Sequence, residues 1–390
     1  MVFDEAGTYT IEYTATDDCG NTTTEDRTVV VKAMNAYGAE WAGGESSAWT
    51  RTDKAALFAD PVPQMSDGNG GWTEGSSPFD NIMPWSGMEI VEDAEAGTLV
   101  KIPKYWYKWT RNGDAMKLQI ANEPQDEFLT SPAHADRGDG VGERDYVYVG
   151  RYHCSNSGYK SQTSVWAKRG EARSDFRSAI SALGNDVWQY DFAMYWTICM
   201  LYLVEFADWN SQAKIGYGCS LGSSPVQEGA TDAMTYHTGT NASSLTNYGE
   251  VQYRHIEGLW SSFNDFVDGI YFDDTNIYVI NNPSDFSDVN GGVSVGVRGT
   301  TESGVTKTLT DPSSISVYEY ALYCSDNNYV NSDKYICDRC EYKNTGTVLF
   351  VGGSYRTRSL SNGLFYWNGA NPSNYNYIDI GSRLMKLPSA

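Results

Sequence analysis

The stretch GGSYRTRSLSNGLFYWNGANPSNYNYIDIGSRLM, residues 352–385, decides how this chain is read. It is dense in Tyr, Asn, Ser, Arg and Gly, and holds no Lys, Glu, Gln or Met before Met385. Antibody binding loops use such a composition: Tyr gives a large, rigid contact, while Ser, Asn and Gly adapt their hydrogen bonds. Yet FYW interrupts the stretch, IGSRLM ends it, and TVLFV (347–351) leads into it. Those pieces read as core and strand. A loop-like composition is therefore framed by strand-like residues.

At 390 residues and 41% hydrophobic, the chain can bury a sizeable core and hold two or three domains of ordinary size. Its net charge is −22 and no Lys/Arg cluster stands out, which argues against nucleic acid and anionic lipid as partners. No window approaches the apolar length of a membrane span, so no membrane insertion is expected. Cys19, Cys154, Cys199, Cys219, Cys324, Cys337 and Cys340 are too sparse for a disulfide scaffold. Cys337-Asp338-Arg339-Cys340 is a lone CxxC, read as free thiols or one local disulfide because zinc wants a second pair. His134, His153, His237 and His255 form no i,i+4 pair; His237 and His255 could meet in space, in a structural role. No nucleophile elbow, phosphate loop or dinucleotide fingerprint is present, so neither an enzyme nor a cofactor is expected. Asp265, Asp268, Asp273, Asp274 and Asp285 leave calcium as a minor option.

Along the chain, Tyr9, Ile11, Tyr13 and Ala15 alternate with polar residues, turn chemistry follows at 17–21, and Val29 and Val31 mark a second strand. Residues 33–100 read as short strands and loops held by Trp41, Trp72, Phe79 and Trp85. LVKIPKYWYKWTR and AMKLQIANE predict a hairpin across Asn112-Gly113-Asp114. Residues 169–209 are strongly helical: an amphipathic helix stopped at Gly184, a short turn, then an apolar helix with Asp191 near its start. A hairpin is expected around Asp273-Asp274-Thr275-Asn276. From about 35 to 390 no linker is visible, and the expected class is α+β.

Residues 4–32 resemble the last two strands of a bacterial immunoglobulin-like domain. The resemblance implies a remnant over 1–34 and a chain that is the C-terminal piece of a longer protein. HIEGLWSSFNDFVDGIYF (255–272), VGGSY (351–355) and DIGSRL (379–384) together resemble C-type-lectin-like domains of the formylglycine-generating-enzyme branch. The order and spacing match, and the helix pair lies where that fold has its two helices. The resemblance implies one such domain over 35–390. Ser261 and Ser262 depart from the usual Gly-Asn. The enzymes of that branch use a cysteine pair after the GGSW-type motif; here no Cys follows Cys340, so their oxidase chemistry is not expected.

The terminal segment further resembles the variable region of diversity-generating-retroelement target proteins. In that family an adenine-directed copying process rewrites chosen Asn codons into ones that cannot encode Lys, Glu, Gln, Met or Trp. Residues 354–380 lack the first four, and Trp367 would be a fixed position. The resemblance implies a variable region at about 352–385. Its frame would be Val348, Phe350, Val351, Phe365, Trp367, Ile380, Leu384 and Met385. Its exposed, ligand-binding face would be Tyr355, Arg356, Thr357, Arg358, Leu360, Tyr366, Asn368, Ala370, Asn371, Tyr375, Tyr377 and Asp379. It also implies recognition of a protein or glycan receptor on a host or neighbouring cell, from a phage tail or a bacterial surface. The competing expectation is a structural tail or adhesin domain without diversification.

Overall fold

In a computed structural model, residues 7–31, 35–222, 224–299, 303–328, 334–343, 346–357 and 359–389 are described. Strands account for 37% of the chain and helices for 10%, and the fold includes a curled half-barrel sheet. The chain is thus more strongly β than the α+β expectation. Many of its strands are two to five residues long, too short for periodicity to build up.

Gly7–Thr16 and Thr22–Val31 pair antiparallel, Gly7 opposite Val31 and Thr16 opposite Thr22, and form their own two-stranded sheet. Asp17 makes the turn: its Oδ1 accepts from the Cys19 and Asn21 amides. The predicted hairpin of residues 99–123 forms as Trp106–Asn112 paired with Ala115–Ala121, and Pro103 ends the preceding strand Gly97–Pro103. Proline cannot donate to the ladder there.

Two helices occupy residues 169–209. The amphipathic one, α1, spans Arg173–Ser181 and buries Phe176 and Ile180. The apolar one, α2, spans Phe192–Phe206 with every residue buried. Asp191 is its N-cap, Oδ1 accepting from the Met194 amide at 2.8 Å. The turn expected between them contains a strand, Val187–Gln189, which pairs with the chain's last strand, Leu384–Lys386. Its three residues are too few to show a period.

Around α2 the strands form four further sheets. The largest runs from Val293–Val297 through Asn276–Val279, Asn264–Phe272, Val348–Val351, Trp367–Asn371, Arg339–Tyr342 and Ser303–Leu309 to Cys324–Asn328. One core cluster joins this sheet to α2 and to Trp41, Phe79 and Trp85. No helix among the described residues is long and apolar enough to cross a membrane.

Candidate functional site

The terminal segment is tied to the fold at its start, middle and end. At the start, Gly352 has φ +74°, and a Cβ there would lie 2.5 Å from the Leu259 carbonyl oxygen, so only glycine fits. Ser261 N donates to Gly353 O and Tyr355 N to Ser262 O, each at 3.2 Å. Ser262 Oγ in turn donates to Glu250 Oε2 at 2.9 Å. The two serines that depart from Gly-Asn thus anchor the segment.

In the middle, the buried Asp338 carboxylate accepts from the Gly363 and Phe365 amides, both at 2.8 Å. Burial pushes its carboxyl up to about 7. Ser211 Oγ accepts from the Leu364 amide at 2.8 Å. Tyr195 of α2 donates its hydroxyl to Leu364 O at 2.9 Å and accepts from Trp367 Nε1 at 2.8 Å. Phe365 packs edge-on to Trp209 with centroids 4.8 Å apart.

At the end, Ser354 Oγ donates to Asp379 Oδ2 at 2.6 Å, which links the two ends of the segment. Ile380–Ser382 then pairs in parallel with Asn264–Phe272. Arg383 is fully buried: Nε meets Asp265 Oδ2 at 3.2 Å, and the guanidinium donates to the Gly150, Arg151 and Glu257 carbonyls. Val348, Phe350, Val351, Phe365, Trp367, Ile380, Leu384 and Met385 are all buried.

Between these ties lies a concavity of about 500 Å³. Arg356, Thr357, Asn371, Tyr375 and Tyr377 line it from the segment, with Tyr366, Asn368, Ala370 and Asp379 deeper in. Tyr355 and Leu360 are not in the lining; Tyr355 packs edge-on to Phe263 at 6.1 Å, and Leu360 is exposed. Arg358 lies outside the described residues. The expected exposed face needs correcting at Tyr366 (1% exposed), Asn368, Ala370 and Asp379 (7%), which are buried. Trp367–Asn371 is an interior strand between Val348–Val351 and Arg339–Tyr342, so the cross-strand neighbours Phe350 and Glu341 stand on either side of Asn368. Asp379 is turned inward by Ser354.

Asn368 is the hub of the deep part. Its Nδ2 donates to Glu341 Oε2 at 2.8 Å and to the Tyr366 hydroxyl at 3.0 Å, and its Oδ1 accepts from Asn371 Nδ2 at 2.8 Å. Burial, with Glu341 nearby, pushes the Tyr366 phenol far up, so it stays a neutral donor. One wall is a ladder of parallel rings: Phe350 and Tyr375 at 6.3 Å and 10°, then Tyr375 and Tyr377 at 6.0 Å and 13°. Arg356 caps it, its guanidinium 5.1 Å from the Tyr377 ring centre. Hydrogen bonding to Tyr355, with Tyr377 adding to it, raises the Arg356 guanidinium further.

The other wall comes from outside the segment: Ser303, Arg339, Glu341 and Lys343, with Asn264 also in the lining. These were missed from sequence, although Arg339, Glu341 and Lys343 recur with period two, the signature of one strand face. The site offers hydrogen-bonding groups, rings and charges. Among the described residues no three His, Cys, Asp or Glu side chains gather to hold a metal. The acidic run considered for calcium is dispersed: Asp265 meets Arg383, Asp268 meets Arg177, and Asp273 caps its own hairpin turn. His237 and His255 do meet, with rings 5.7 Å apart, but His237 Nε2 is bound to Asp80 at 2.9 Å.

No protein-family model matches the chain, and no curated protein matches it.

Proposed function

We propose that this is a recognition protein that binds its ligand through the C-terminal concavity, on a C-type-lectin-like domain of the formylglycine-generating-enzyme branch. We further read the segment 352–385 as the variable region of a diversity-generating retroelement, displayed on a phage tail or bacterial surface and acting without catalysis. One observation carries the binding reading: nine of the twelve residues expected on the binding face — Arg356, Thr357, Tyr366, Asn368, Ala370, Asn371, Tyr375, Tyr377 and Asp379 — line one concavity. The buried frame beneath them supports it, because a binding face can change only over a frame that keeps its own contacts.

The test is adhesion of the fluorescently labelled chain to a panel of intact bacteria. Replacing Arg356, Asn371, Tyr375 and Tyr377 together with Ser is expected to abolish adhesion while leaving the melting temperature within a few degrees. Unchanged adhesion would sink the reading and favour a structural tail or adhesin domain. Diversification has a separate test: a neighbouring reverse-transcriptase gene and a template repeat matching the end of this coding sequence.

A further inference from the structure

The concavity is charged in a way the rest of the chain is not. The chain carries 28 Lys and Arg against 50 Asp and Glu, yet three of the charged side chains lining the concavity are cations, Arg339, Lys343 and Arg356, against two carboxylates, Glu341 and Asp379. Both carboxylates are already engaged. Asp379 Oδ2 accepts from Ser354 Oγ at 2.6 Å; Glu341 accepts from Asn368 at 2.8 Å and has Arg339 at 3.8 Å. The cations are less well matched. Among the described residues Lys343 and Arg356 have no ion-pair partner; Arg356 leans on the Tyr377 ring and hydroxyl instead. Hydrogen bonds from neutral groups leave both carboxylates charged, so the lining carries an excess of one positive charge, and a ligand with a negative group is the one it attracts.

The remaining lining restricts the ligand further. A concavity of this volume is the size of a small-molecule site rather than a protein epitope. The Tyr375–Tyr377 ladder offers apolar surface beside the Asn371 amide, the Thr357 hydroxyl and the Tyr377 hydroxyl. A sugar ring carries C–H faces for the former and hydroxyl edges for the latter. An acidic peptide would satisfy the cations and the polar partners, but its carboxylate side chains bring no ring with C–H faces to the Tyr ladder.

Resting on the recognition reading above, we propose that the concavity binds an acidic saccharide unit, its carboxylate or sulfate held by Arg339 and Lys343 on one wall and its ring seated along Tyr375 and Tyr377 on the other, where Arg356 caps the ladder. Arg339 and Lys343 lie outside the segment 352–385. The preference for an anion is then supplied by a constant flank, while the segment itself sets which sugar fits.

Isothermal titration of the full chain tests this with four probes: an oligogalacturonate, a sulfated chondroitin disaccharide, a neutral galactose oligomer and poly-glutamate. At least one acidic saccharide is expected to bind about tenfold tighter than the neutral oligomer. That binding should weaken between about 50 and about 300 mM salt. Lys343→Ala and Arg339→Gln should each lower it about fivefold with unchanged melting temperature. The carboxylated and sulfated probes show which anion is preferred. Equal binding of neutral and acidic sugars overturns the proposal, as does tighter binding of poly-glutamate or binding of neither acidic sugar. In those cases loss of bacterial adhesion in the fourfold Ser variant still upholds recognition; intact adhesion in that variant removes the recognition reading itself.

Discussion

Gly363 shows how closely single residues of the terminal segment are specified. A Cβ added there would lie 2.4 Å from Ser211 Oγ and 2.8 Å from Asp338 Oδ2, the two groups that bind the Leu364 and Phe365 amides. Gly363→Ala is expected to destabilise the protein by about 1–3 kcal/mol, read from the urea midpoint. Arg383 makes a larger contribution. Truncation to Ala strands the Asp265 carboxylate in the core and removes the donor from three carbonyls. Loss of about 3–5 kcal/mol is the expectation, and a fall of under 1 kcal/mol would contradict the burial argument. Neither partner set was legible in the sequence, because Ser211, Asp338 and Asp265 lie far from the residues they hold. Tyr and Arg clustering was legible, since composition needs no contact map.

Among the elements, α2 organises the fold, and its start does two jobs. Asp191 caps it through Oδ1 and pairs through Oδ2 with the buried guanidinium of Arg137. Asp191→Asn keeps the capping oxygen and loses the charge; Asp191→Ala loses both. The Ala variant should therefore be less stable than the Asn variant by about 1 kcal/mol, the value of a cap. Both should fall below the wild type by about 3 kcal/mol or more, because Arg137 is left unpaired in the core. Equal stabilities of the two variants in thermal melts would mean the cap contributes nothing. The first helix was legible from its period, the second from its apolar run with Asp191 near its start. The strand Val187–Gln189 between them was not: its pairing with Leu384–Lys386 joins residues almost two hundred positions apart, and three residues carry no period.

At the scale of the whole molecule, buried acids gather beneath the start of the terminal segment. Burial pushes the Glu228 carboxyl up to about 8. Burial also raises Glu250 and Glu257, with Glu257 acting on Glu250 and Glu228 on Glu257 as like-charged neighbours. A carboxyl whose folded value is raised favours folding while it stays protonated. For Glu228 that contribution is intact below its unfolded value near 4.5 and is lost as pH rises from there to about 8. Glu228→Gln removes this dependence, so the wild type should lose stability relative to the variant by at most about 1.4 kcal/mol per pH unit across that window. Parallel stability-versus-pH curves for the two proteins would refute it. The same assembly shows where sequence and tertiary structure divided the work. The sequence by itself determined the helices, the hairpins and the buried frame, and marked out the Tyr- and Asn-rich segment that lines the concavity, because period, turn chemistry and composition are local. Only the tertiary structure decided that Tyr366, Asn368, Ala370 and Asp379 turn inward and that Arg339, Glu341 and Lys343 complete the concavity. Those outcomes depend on which strands lie side by side, and strand order is a long-range property that no local pattern encodes.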